Sequence, residues 1–147
     1  MSAKRVSAIA VALVAAFLFA ACGGGSSDSS ASGSSSGAKA GGTISIQGQD
    51  ANDHGTKAAT SGSSVEVEMD DYYFEPTVIT GTAGETITLD LKNNGSTTHN
   101  FSLPSQKISE DLSPGDTKSV TVTFPSSGTA LFVCKFHASM GMRGGLL

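Results

Sequence analysis

Val65-Glu66-Val67-Glu68-Met69-Asp70 alternates apolar with acidic residues, and a period of two belongs to a strand with one buried face. The alternation returns in Thr86-Ile87-Thr88-Leu89-Asp90-Leu91-Lys92 and again in Val120-Thr121-Val122-Thr123-Phe124. Turn-forming clusters separate these segments: Ala83-Gly84-Glu85, Asn93-Asn94-Gly95-Ser96, Ser113-Pro114-Gly115-Asp116 and Pro125-Ser126-Ser127-Gly128. Ala130-Leu131-Phe132-Val133 is a continuous apolar run, the pattern of a strand buried on both faces. No stretch carries helical periodicity over about ten residues. Short strands at turn spacings of roughly 8 to 12 residues predict an all-β fold, an antiparallel sandwich or barrel over residues 65–147.

Outward from that block the order weakens. Ile44 and Ile46 alternate with polar neighbours, but Gln47 to Ser64 has no period. Residues 43–64 are therefore expected to be a weakly structured N-terminal extension with one strand and a loop. Further upstream, the stretch from Gly23 to Gly42 holds seven of the 18 Gly and eight Ser. Such a segment buries too little apolar surface to offset chain entropy, so residues 22–42 are expected to form a disordered tether. As a flexible coil it would span on the order of 25 Å.

The chain begins Met1-Ser2-Ala3-Lys4-Arg5, and of the sixteen residues from Val6 to Ala21 only Ser7 is polar. A membrane-spanning helix needs about 20 apolar residues; a basic start, a short apolar stretch and small residues before a cut describe a signal peptide, residues 1–21. Leu18-Phe19-Ala20-Ala21-Cys22 resembles the lipobox of bacterial lipoproteins. That resemblance implies lipidation at Cys22, a membrane anchor and an extracytoplasmic location, at the cell surface or in the periplasm. Removing Lys4 and Arg5 leaves an acidic mature chain; the whole chain already carries a net charge of -4. With no cluster of cations, nucleic acid is excluded as a partner. The two cysteines, Cys22 and Cys134, are too few for a disulfide scaffold and are read as having separate roles.

The chemistry lies in Cys134-Lys135-Phe136-His137-Ala138-Ser139-Met140-Gly141-Met142. A thiolate, an imidazole and thioethers form a soft donor set, suited to copper and poorly suited to Mg2+ or Ca2+. Cys134 closes a predicted strand, and His137 and the methionines follow on a loop. A second imidazole is available from His99, at the start of the strand His99-Asn100-Phe101-Ser102-Leu103. Two strand ends at one pole of a sandwich would bring His99 against Cys134 and His137, giving the His2Cys set with an axial Met that marks blue-copper sites.

At this point residues 65–147 resemble the cupredoxin family, the small blue-copper proteins of plastocyanin and amicyanin type. The resemblance rests on Phe74-Glu75-Pro76, Ala83-Gly84-Glu85-Thr86, His99-Asn100, Pro114-Gly115 and the Cys134-Xaa2-His137 loop. It implies a Greek-key β-sandwich, one type 1 copper ion, and Asn100 pinning the ligand loops together. It also implies the ligands His99, Cys134, His137 and Met142, with Met140 as the alternative axial residue. Met142 is preferred because Met142-Arg143-Gly144-Gly145-Leu146 matches the family's entry into the last strand. Ala138 stands where a two-copper site would need a second cysteine, so a mononuclear centre is expected.

No Ser/His/Asp triad, carboxylate pair or phosphate-binding loop is present, and the chain is expected not to be an enzyme. The expectation is a monomeric, membrane-tethered carrier of single electrons between redox partner proteins. A copper-binding protein for delivery or tolerance, motivated by Met140 and Met142, is the alternative. His54 is read as a surface residue without a metal role. Glu66, Glu68, Asp70, Asp71 and Glu75 are read as the solvent side of a strand, and secondarily as a docking face for a basic partner.

Overall fold

In a computed structural model the chain is described from residue 41 to residue 147. The expected signal peptide, the lipidation site at Cys22 and nearly all of the tether lie outside the described residues. Among the described residues twelve strands are formed: β1 (Gly42–Ile46), β2 (Gln49–Asp53), β3 (Thr56–Ala58), β4 (Ser64–Asp70), β5 (Tyr73–Glu75), β6 (Val78–Thr80), β7 (Thr86–Asn93), β8 (His99–Leu103), β9 (Ile108–Leu112), β10 (Thr117–Thr123), β11 (Ala130–Val133) and β12 (Arg143–Leu146). One sheet has the order β10-β7-β4-β5, a second β3-β6-β12-β11-β8-β9, and β1 pairs with β2 as a hairpin.

Burial follows the alternation that predicts these strands. In β4, Val65, Val67 and Met69 are buried, and in β7 so are Ile87, Leu89 and Leu91, while the intervening residues reach solvent in whole or part. These side chains meet Phe101 and Leu103 of β8, Phe132 of β11 and Leu146 of β12 in one continuous core between the sheets. Phe132 lies at its centre, with ring centroids 5.2 Å from Phe74 and 5.1 Å from Phe101. The chain crosses from sheet to sheet between β7 and β8 and again between β9 and β10, in keeping with the expected Greek-key sandwich.

Two features differ from the sequence expectation. The sandwich is not wholly antiparallel: β4 pairs with β7, β3 with β6, and β6 with β12 in parallel. Periodicity reports which face is buried and carries no information on strand direction, so this was not visible in the sequence.

The weakly structured extension expected over residues 43–64 is also corrected, because β1, β2 and β3 occupy most of it. Ile46 and Ala51 are buried with Val78 in a small second core, against which Ile44 and Leu131 pack. The hairpin turns on Gln47, whose φ is 52°, and Gly48, whose φ is 74°. A short hairpin and a three-residue strand leave no repeating pattern long enough to read.

Candidate metal centre

The site forms where β8 and β11 come together. Val133 pairs with Ser102 across the two strands, which sets His99 at the head of β8 beside Cys134, the residue after β11. From Cys134 the chain makes a tight loop: the His137 amide donates to Cys134 O at 3.1 Å and the Met140 amide to His137 O at 2.9 Å. A 3-10 turn over Ala138–Met140 ends at Gly141, whose φ of 88° lies in the left-handed region that glycine tolerates. The loop is closed at its neck by the Cys134 amide, which donates to Met142 O at 3.0 Å.

One ligand atom each from His99, Cys134 and His137 lies within 4.8 Å of the others. His99 Nδ1 is 3.1 Å from His137 Nδ1, which is 3.5 Å from Cys134 Sγ. His99 and Cys134 are fully buried and His137 is partly exposed. Met142, at the end of the loop, is fully buried in the same core as Cys134, whereas Met140 is 49% exposed. Phe136 is half-exposed as well, and Tyr72 meets the His137 ring edge-on at 4.9 Å.

Asn100 binds the pieces together. Its amide N–H donates to Cys134 Sγ at 3.3 Å, and its Oδ1 accepts from the Lys135 amide at 3.4 Å. Its side-chain NH2 donates to Asp111 Oδ1 at 2.6 Å and Glu110 O at 3.2 Å on the neighbouring strand. Cys134 is a free, buried cysteine, and the Asn100 N–H is aimed at its sulfur.

On the far side of His99, Nε2 lies 3.4 Å from Asp71 Oδ1, within ion-pair reach but poorly aligned as a hydrogen bond. Asp71 is itself held by Ser96, whose hydroxyl donates to Oδ2 at 2.7 Å and whose amide donates to Oδ1 at 3.2 Å. The Ser96 side-chain bond is the main reason the Asp71 carboxyl sits below its usual value. Burial, and after it the neighbouring His137, holds the His99 imidazole below its ordinary value, against the opposing pull of Asp71. A buried imidazole that resists protonation is fit to act as a neutral donor.

The donor set passes the chemical test for copper: two imidazoles and a buried thiol converge, and a buried thioether lies at the loop's end. Of the acidic residues, Asp71 belongs to the support of His99 and not to a free face. His54 stacks on Tyr73, with ring centroids 3.4 Å apart, and stands 4.0 Å from Glu75, away from the donor cluster. Sequence reasoning missed the contact of Asp71 with His99, because Asp71 was hidden within an acidic run.

The fold and this cluster together define a small β-sandwich with a soft-metal pole. The chain belongs to the cupredoxin-like domain family, whose model matches residues 38–147. That match begins well before Val65 and so takes in the hairpin. A copper-resistant cuproprotein, CopI of Pseudomonas aeruginosa, is 45% identical over 47 residues, which is 32% of this chain and 26% of that protein. The chain thus matches about a quarter of that relative's length.

Among solved structures, the metal-binding domain of the Streptococcus pneumoniae Cu(I)-exporting ATPase CopA, with Cu(I), aligns with a TM-score of 0.51 at 12% identity. That alignment covers 60% of this chain and 92% of that one. The auracyanin of Roseiflexus castenholzii aligns with a TM-score of 0.49 at 20% identity, covering 60% and 97%. Among the described residues no helix is long and apolar enough to cross a membrane.

Proposed function

We propose that the chain is an extracytoplasmic, membrane-tethered blue-copper protein that passes single electrons between redox partners. The observation that carries this reading is the convergence of two imidazole Nδ1 atoms and a buried thiol within 4.8 Å at one pole of the sandwich. His99, Cys134 and His137 would hold one copper ion, with Met142 as the axial donor and Met140 as the alternative. Copper held there supplies a one-electron Cu(I)/Cu(II) couple.

The chain's own residues do the rest. The ends of β8 and β11 fix His99 and Cys134, and the Asn100 amide, donating to the Cys134 sulfur, holds it in place. The closed loop neck keeps His137 and Met142 in place, so the donors have little freedom to rearrange when charge changes. His137, partly exposed between the half-exposed Phe136 and Met140, is the natural point of contact for electron donor and acceptor. Lipidation at Cys22 would keep a monomeric domain near the membrane on its tether.

Adding Cu(II) to the purified chain tests this. The expected result is an intense visible band that bleaches on reduction, returns on oxidation and is absent in Cys134→Ala. A Cys134→Ala chain with the parent's spectrum and affinity would overturn the site.

A second reading is copper delivery or tolerance without redox cycling. It is favoured by the half-exposed Met140 beside the loop and by the partial likeness to the copper-resistant cuproprotein of Pseudomonas aeruginosa. Tight, colourless Cu(I) binding with no Cu(II) band would select it.

A further inference from the structure

The β1–β2 hairpin reaches the loop that carries the donors. The Asn52 amide donates to Gly141 O at 2.9 Å, and the Asn52 side-chain NH2 donates to Met140 O at 2.9 Å and to Tyr72 O at 3.0 Å. Asn52 is fixed from behind, since its own carbonyl accepts from the buried Thr77 hydroxyl at 2.9 Å. The fit leaves no slack on the loop side: a Cβ on Gly141 would stand 2.7 Å from Asn52 Oδ1. One asparagine thus bridges the two backbone segments that flank His137, the turn at Met140–Gly141 and the residue Tyr72 whose ring abuts the imidazole.

We propose that Asn52 is a positioning residue for the metal centre, clamping the ligand loop in its donor geometry before metal arrives. This rests on the copper reading for its purpose, though the clamp itself is a property of the metal-free chain. A carboxamide suits the task because its NH2 carries two donors, one for each carbonyl, where a hydroxyl carries only one. Without it, Met140 O and Tyr72 O lose their shared partner and the loop between Cys134 and Met142 gains freedom, carrying His137 with it. The other end of the hairpin is anchored elsewhere, by Gln47, whose side chain donates to Thr129 O at 2.5 Å.

The test uses the full chain and the variants Asn52→Ala, Asn52→Asp and Gln47→Ala. Asn52→Asp keeps the shape and the main-chain bond to Gly141 but replaces the NH2 with a carboxylate oxygen that cannot donate to either carbonyl, so it decides the matter if Asn52→Ala fails to fold. In the metal-free chain, amide hydrogen exchange at Met140, Gly141 and Met142 is expected to speed up on the order of tenfold in the Asn52 variants, the effect of losing one or two hydrogen bonds. Gln47→Ala is expected to leave those amides at the parent rate. After loading with Cu(II), the Asn52 variants are expected to show an altered visible spectrum and faster copper loss to a chelator.

Parent-like exchange in both Asn52 variants overturns the proposal. So does an equal increase in Gln47→Ala, which would assign the effect to hairpin docking as a whole. A parent chain that takes up no copper overturns the copper reading, and the exchange comparison still decides the clamp.

Discussion

Replacing Gly95 with alanine probes how tightly the buried histidine is held. Gly95 lies in the turn between β7 and β8, and a Cβ there would stand 2.6 Å from His99 Nε2 and 2.7 Å from Asp71 Oδ1. Non-bonded heavy atoms settle at about 3.5 Å or more, so one group must retreat by most of an ångström. His99 is fully buried with its other ring nitrogen 3.1 Å from His137 Nδ1, so a shift of the ring is passed to the donor cluster. Asp71 is more exposed but is tied to the Ser96 hydroxyl at 2.7 Å.

Overpacking of this kind costs about 1–3 kcal/mol. For a domain near 100 residues each kcal/mol lowers the melting temperature by about 4–8 °C, so the metal-free Gly95→Ala chain is expected to melt roughly 5–20 °C below the parent. Copper affinity is expected to fall with it. The control is Gly42→Ala in β1, where an added Cβ meets nothing within 4 Å; a change within about 0.5 kcal/mol is expected there. The assay is a thermal melt by circular dichroism, followed by competition with a copper chelator. If Gly95→Ala melts with the parent and holds copper equally well, the His99 ring is not confined as described and the reasoning fails.

Three further outcomes follow from the packing and the charges. Phe132→Ala removes the ring that joins Phe74 to Phe101 in the core and is expected to cost about 3–5 kcal/mol, read as a lower denaturation midpoint with an unchanged slope. Met142→Leu is expected to alter the Cu(II) spectrum and the potential strongly and Met140→Leu to leave both nearly unchanged; the reverse would move the axial role to Met140. Lys135, and after it Asn100, holds the Asp111 carboxyl below its usual value by hydrogen bonding. A carboxylate lowered in the folded state contributes stability above its unfolded pKa of about 3.9 and loses it as the pH falls through the lower folded value. Melting curves of Asp111→Asn should therefore lie below the parent's near neutral pH and converge with them in acid; a constant offset at every pH would refute the assignment.

Much of the fold was legible in the sequence because a half-buried strand writes its own period. The alternations in Val65-Glu66-Val67 and Ile87-Thr88-Leu89 identified the buried face of β4 and β7 residue by residue. The donor types were equally plain, since thiolate, imidazole and thioether within one short loop have few other uses. That His99 would meet them was an expectation from strand ends, and the structure does bring it to Cys134 and His137.

What the sequence determined by itself was the all-β class, the position of the core strands and the chemical character of the pole, because each depends on side-chain type and local spacing. Only the tertiary structure decided strand direction, the recruitment of β1–β3 into the domain, and the shell around the donors. Asp71 reaches His99 across 28 positions, and Asn52 reaches Met140 across 88. Those contacts are made by a side-chain carboxylate and a carboxamide on segments with no period. Their partners are an imidazole nitrogen and backbone carbonyls, whose positions exist only once distant strands have paired.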